Sequence, residues 1–145
     1  MPPVTADLAQ AFCEAMVGVL HGNAAIQSAM GRASDFVIPF EDSDDSTQLP
    51  CYVYSYLRDS ELGGVADERL ATVELVAVAE GNDALKKTNA LCALARTALT
   101  YNALKAQGLE AYVDTIEQEG GSGEKEETRG LAMTRLLLTI RATAP

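Results

Sequence analysis

The residues that could carry catalysis in this sequence are few and isolated from one another. The single histidine, His21, lies in a glycine-flanked helical stretch with no nucleophile or carboxylate placed beside it by a known motif. Cys13, Cys51 and Cys92 are an odd number of cysteines, too far apart in sequence for a short metal-binding spacing. We therefore expect a structural or solvated histidine, buried reduced thiols, and no catalytic residue, metal site or cofactor.

Two acidic segments contain enough carboxylates or glycines to suggest binding loops. The first contains Glu41, Asp42, Asp44 and Asp45, but it lacks the glycine and the distal glutamate of an EF-hand. It is predicted to be a solvated loop.

The second acidic segment follows the glycine-rich run 120–123. No helix is predicted after it, so there is no helix N-terminus at which a phosphate could bind. Residues 119–129 are therefore predicted to form a flexible hairpin loop. Its carboxylates are Glu124, Glu126 and Glu127.

Three alternating tyrosines, Tyr52, Tyr54 and Tyr56, could in principle stack on nucleic-acid bases. However, the chain has 11 Lys plus Arg against 21 Asp plus Glu, and its net charge of −10 repels a phosphate backbone. We expect half-buried sheet residues or a protein interface, and no specific nucleic-acid binding.

Hydrophobic spacing predicts the elements that position these residues. One helix, or two separated by a break near His21, is expected from Ala6 towards Met30, and another from Ala84 to Tyr101. The predicted strands are Phe36–Phe40, Cys51–Leu57, Arg69–Glu80, Ala111–Glu119 and Leu131–Ala142. This order predicts one α+β domain, residues 1–145, with a mostly antiparallel sheet of about five strands and two main helices on one face.

The relative widths of sheet and helices predict an uncovered face. Five strands span about 24 Å, whereas two helices cover roughly 20 Å, enough for one side only. Val76, Val78, Met133 and Leu137 fall on the other side, where we expect a subunit interface. The alternative is that these are the scattered exposed aliphatic residues of an ordinary surface.

The sequence shows no basic segment followed by an apolar core at its start and no apolar run long enough to span a membrane. These observations predict a soluble cytosolic protein that does not bind membranes.

The order of the elements resembles a known family. The relevant stretches are strand 72–78, the turn 81–83, the alanine- and leucine-rich helix 84–100, the short strand 112–116, and the closing strand 133–141 after a charged loop. Together they resemble the tail-terminator (tail completion) proteins of long-tailed bacteriophages and related prophage particles.

The resemblance implies an α+β protein without catalytic residues. By that resemblance it would form a ring of six copies on the last ring of the tail tube, stop polymerisation of the tube and present a surface to the head connector. Its partners would be its own copies, the tail tube protein and the head-tail connector proteins, and DNA would pass through the ring. It would be made in the host cytoplasm and lie at the head-proximal end of the virion tail.

Two other interpretations stay open at this stage. One is another head-tail joining or tail-tube component. The other is a small-ligand-binding or enzymatic α+β domain, which needs a concave pocket with convergent polar groups. In the virion interpretations, the two acidic segments would steer docking onto a partner.

Overall fold

A five-stranded sheet organises the chain in the computed structural model, which describes residues 8–44, 46–61, 68–119 and 130–143. The strands are β1 (Val37–Pro39), β2 (Cys51–Glu61), β3 (Glu68–Ala79), β4 (Ala111–Glu119) and β5 (Ala132–Thr143). Their order is β1-β2-β3-β5-β4, with β1 parallel to β2 and every other pair antiparallel. The predicted α+β class and mostly antiparallel sheet are confirmed.

The first helical region is divided into two helices, as the glycines of the sequence suggested. These helices are α1 (Leu8–His21) and α2 (Ala24–Met30). The Asn23 side chain accepts a hydrogen bond from the Ile26 N–H at 3.0 Å and so begins α2. Gly31 ends it in the left-handed conformation, at φ 74°, which a residue with a side chain rarely adopts.

The second helical region is also divided, which the sequence pattern did not predict. Helix α3 (Ala84–Ala98) ends before the predicted limit at Tyr101, and α4 (Tyr101–Ala106) begins separately. The hydroxyl of Thr100 accepts a hydrogen bond from the Ala103 N–H at 3.1 Å. This cap starts a new helix where apolar spacing alone predicted continuation.

The core lies between one face of the sheet and the helices. Alternate residues of β3 and β5 point into it, as predicted, and they are nearly inaccessible to solvent: Ala71, Val73, Leu75, Ala77, Ala79, Ala132, Leu136, Leu138 and Ile140. Phe12, Met16 and Leu20 of α1 and Leu91 of α3 pack in one cluster with these residues, except that Ala79 and Ala132 pack separately with Ala84. Close packing of these side chains holds the sheet against the helices.

The three tyrosines of β2 pass from the core to solvent along the strand. Tyr52 is fully buried, Tyr54 is half-buried and Tyr56 is exposed. The Tyr52 hydroxyl donates a hydrogen bond to the Leu91 carbonyl oxygen at 2.5 Å, which ties β2 to α3. The tyrosines therefore lie on the helix-covered face of the sheet, and the innermost one is a core residue.

Candidate interaction surface

The sheet face opposite the helices carries mainly half-buried and exposed side chains in the described strands. We call it the open face. Its central members are Val53, Ser55, Thr72, Glu74, Val76, Val78, Met133, Arg135, Leu137 and Thr139. The face combines an aliphatic region and a charged region, and Glu74 lies at their boundary, since it lines the aliphatic groove and pairs with Arg135.

The aliphatic region forms a groove of about 300 Å³. Its floor is the sheet, with Cys51, Val53, Val76, Val78 and Met133. Its wall is the segment between β1 and β2, which contributes Phe40, Ser43, Asp44, Thr47 and Leu49. Most of these side chains are apolar, so the groove is suited to burying an apolar group.

The wall of the groove shields part of the open face. Cys51 points to this face yet is completely buried, because the segment before it folds over the sheet. Burial raises the pKa of the Cys51 thiol to about 11, with a small opposing effect of Arg32, so the group stays a neutral thiol. Phe40, by contrast, is 67% exposed and separates the groove from a smaller depression beside Tyr54 and Tyr56.

Hydrogen bonds hold the wall in place. The Ser43 hydroxyl donates to the Phe40 carbonyl oxygen at 2.8 Å, and the Asp44 N–H donates to the Thr47 hydroxyl at 2.9 Å. The Asp44 carboxylate accepts from the Ser46 N–H at 2.8 Å and from its hydroxyl at 2.6 Å. The described part of this predicted loop is therefore exposed but internally ordered.

The wall is acidic. Glu41 and Asp42 lie on a short 3-10 helix (Phe40–Asp42), and Asp44 follows; all three are exposed. Hydrogen bonds from Ser46 lower the pKa of Asp44, and the bond from the Ser46 hydroxyl has the largest effect. The Asp44 carboxyl group is therefore ionised at neutral pH. We call Glu41, Asp42 and Asp44 the acidic rim.

The charged region of the open face is paired internally. Arg135 contacts Glu74 and Glu119, each at 2.7 Å, and these carboxylates raise its pKa. Arg141 contacts Asp114 at 3.3 Å, at a bulge in β4. Two arginines thus offset most of the charge of three carboxylates, whereas the described carboxylates of the acidic rim have no cationic partner in an ion pair.

The structure brings together three of the four aliphatic residues expected at an interface. Val76, Val78 and Met133 line the groove. Leu137 shares the open face, beside Glu74 and outside the groove lining. Among the docking residues predicted in loops, Asp45, Glu124, Glu126 and Glu127 lie outside the described residues, as does segment 120–129 of the predicted hairpin loop.

Sequence reasoning missed the apolar members of the wall. The predicted strand Phe36–Phe40 includes Phe40, which the structure places on the 3-10 helix instead, and no sequence pattern points to Leu49. The sequence signal for this wall was the position of Phe40 directly before an acidic run, because large apolar side chains are uncommon in such loops.

The residues first considered for catalysis are structural in their contacts. The Nε2 atom of His21 accepts hydrogen bonds from the N–H groups of Phe36 and Val37 at 3.2 and 3.3 Å, and its ring packs edge-on against Phe36. Burial lowers the pKa of His21. Cys13, Cys51 and Cys92 are free and buried, as expected. Across the described ranges, no three His, Cys, Asp or Glu residues cluster as metal ligands would.

Comparisons with known proteins support the fold. No protein-family model matches the sequence, and no curated protein matches it. The fold matches a chain in the solved virion of a native gene transfer agent (GTA) particle, with a TM-score of 0.56 and 13% sequence identity. The match covers 93% of this chain and 95% of that chain. The two chains therefore share a fold over nearly their whole lengths.

The described helices are short compared with the thickness of a lipid bilayer. Within the part of the chain that the structure describes, none combines the length and apolar character needed to cross a membrane.

Proposed function

We propose that this protein is a structural component of a phage-like virion that forms a ring on the end of the tail tube, stops tube growth and provides the surface for head attachment. The observation that carries the proposal is the fold match to a chain of a GTA virion over nearly the full length of both chains. The order of elements, which resembles the tail-terminator family, supports the more specific role.

The open face supports assembly into a ring. A ring is built from heterologous contacts, in which one patch of a subunit meets a different patch of its neighbour. An apolar groove without a helix over it offers one such patch, since burying Val76, Val78 and Met133 removes apolar surface from water. Leu137 extends the same surface towards β4.

The edge strand β4 has features that suit a cap. Asp114 lies at a bulge, and Glu117 and Glu119 are exposed along the strand. Bulges and charged side chains discourage pairing with further strands. A terminator must bind the tube end while offering the next tube ring no matching surface, and such an edge serves the second requirement.

The acidic rim supports the docking part of the proposal. Exposed carboxylates at one side of the molecule favour a positively charged partner surface and set the orientation of approach. Glu41, Asp42 and Asp44 therefore favour a positively charged surface, on the tube, the connector or a neighbouring copy. The docking role of Asp45, Glu124, Glu126 and Glu127 is proposed from the sequence alone, because these residues lie outside the described ranges.

Electron microscopy of particles from a strain lacking this gene tests the proposal. We expect tails longer than normal or tails without heads, and a wild-type copy of the gene restores normal particles. Normal tails joined to heads would exclude a role in virion assembly. Complete loss of tail tubes would instead assign the protein to the tube itself.

A further inference from the structure

The groove on the open face needs a partner that is apolar at its tip and basic around it. Its floor presents Val76, Val78 and Met133, and Met133 is 44% exposed. Asp44 lines the groove, and Glu41 and Asp42 lie on the same wall. An apolar side chain flanked by positive charges would complement both features.

The first turn of α3 has this composition. Leu85 is 40% exposed despite being aliphatic, and Lys86 and Lys87 follow it, both exposed. In the ranges that the structure describes, neither lysine ammonium takes part in an ion pair. The two ammonium groups can therefore pair with carboxylates of another molecule.

We propose that the first turn of α3 in one copy of the chain docks in the groove of the next copy. Leu85 inserts over Val78 and Met133, and Lys86 and Lys87 face the acidic rim of the neighbour. The inference rests on the ring of the proposed function and names the two patches that meet in it.

The positions of the two patches allow a heterologous contact between copies. Ala84, at the start of α3, packs with Ala79 and Ala132, which are neighbours in sequence of Val78 and Met133. The first turn and the groove therefore lie at the same end of the sheet but on opposite faces. Neighbouring subunits can then stack face to back with little shift along the strands, which is a heterologous contact, and such a contact closes into a ring when the rotation between neighbours divides a full turn.

Two variants test the contact, one for each patch. Leu85→Asp places a carboxylate in the first turn of a helix, where the helix dipole favours it, so the fold is retained. Met133→Lys places a cation on the floor of the groove. Each is expected to weaken self-association by about tenfold or more in sedimentation velocity, measured with and without the particle's tail tube protein.

Matched controls separate this contact from general surface effects. Tyr101→Asp changes a residue that is 43% exposed in the first turn of α4, and Tyr112→Lys changes one that is 42% exposed on β4. Both are expected to associate like the wild type. Circular dichroism of all four variants checks that the fold is intact.

Mixing the two docking variants gives the most specific result. The Leu85→Asp chain keeps an intact groove, and the Met133→Lys chain keeps an intact first turn of α3. An equal mixture therefore forms a heterodimer and no larger species. A symmetric contact of groove with groove would instead leave the Leu85→Asp chain fully associated.

Charge exchange tests the role of the acidic rim. The double change Lys86→Glu and Lys87→Glu is expected to prevent association, and adding Glu41→Lys and Asp42→Lys to the same chain is expected to restore it. Failure of the exchange to restore association would contradict the assignment of the lysines to the rim.

The outcomes distinguish this contact from the proposed function. A wild-type ring that survives both Leu85→Asp and Met133→Lys overturns the contact and leaves the ring intact. A wild-type chain that stays monomeric with and without tube protein overturns the ring itself. A third outcome is self-association that depends on both patches, in a protein whose deletion leaves the virion tails normal. This outcome supports the contact between copies and overturns the proposed role in the tail.

Discussion

At the scale of single residues, the side chains that resemble catalytic groups act as connections between elements. His21 joins the end of α1 to the start of β1 through two backbone N–H groups. Tyr52 joins β2 to α3, and Thr88 joins α3 to β5 through a hydroxyl contact with Thr134 at 2.8 Å. Their buried polar atoms therefore have partners, as buried polar groups generally require.

His21 gives the fold a pH dependence. Burial is the main reason that its folded-state pKa lies below the ordinary value of 6.5; Asp35 partly opposes the shift and Arg32 adds to it. The unfolded chain therefore binds more protons near and below pH 6.5, so the free energy of unfolding falls as the pH is lowered through that value. Urea unfolding at pH 7.5, 6.5 and 5.5 is expected to show this loss.

The variant His21→Gln removes the titrating group and serves as the control. Its free energy of unfolding is expected to change less between pH 7.5 and 5.5 than that of the wild type. Equal pH dependence in the two proteins would show that His21 is not responsible.

Tyr52 contributes through its hydroxyl as well as its ring. The variant Tyr52→Phe keeps the packing but leaves the Leu91 carbonyl oxygen without this donor, so we expect a loss of about 1 kcal/mol in the free energy of unfolding. Tyr112→Phe, at an exposed tyrosine, is expected to change it by less than about 0.5 kcal/mol. Equal effects at the two positions would contradict a contribution from the buried hydrogen bond.

At the scale of elements, local caps explain where the helices divide. The residues before α2 and α4 are Asn23 and Thr100, and each accepts a hydrogen bond from the N–H group three positions on. Gly18, by contrast, remains inside α1, where the Gln107 side chain lies so close that an added Cβ would meet it. Glycine therefore has two roles here: Gly31 ends α2, whereas Gly18 lets the Gln107 side chain pack against α1.

The cap of α4 is testable by substitution. Thr100→Ala is expected to lower the free energy of unfolding by about 0.5–2 kcal/mol, because the Ala103 N–H loses its acceptor. Thr97→Ala, at an exposed position within α3, is the matched control and is expected to have little effect. A larger loss at position 97 than at position 100 would contradict the assignment of the cap.

Strand and core positions were largely predictable from sequence because they follow local alternation. The inward-facing residues of β3 and β5 were identified from a period of two, and the break between α1 and α2 from glycines. The separate start of α4 was not foreseen, since the apolar spacing continues to Tyr101 across the capping residue Thr100.

At the scale of the whole molecule, the candidate site depends on contacts between distant segments. Sequence reasoning placed Val76, Val78 and Met133 on one face, but it did not show that the segment before Cys51 folds over that face as the wall of a groove. The pairing of β1 with β2 is parallel and is not set by a tight turn, so local patterns do not specify it.

The resemblance in element order and the fold match to a GTA virion chain are consistent with one another. The first is a pattern in the sequence, and the second is a likeness of folds at 13% identity. The open face then supplies a physical reason for assembly, because a groove floored by aliphatic residues is stabilised when a neighbour covers it.

The central proposal is that this protein caps the tail tube at the end that meets the head. Immunogold electron microscopy of purified, headless tails, with an antibody raised against the protein, tests it most directly. We expect gold particles at one end of each tail only, and this is the end to which added heads attach. Label along the whole tube, at the opposite end, or on no tails would contradict it.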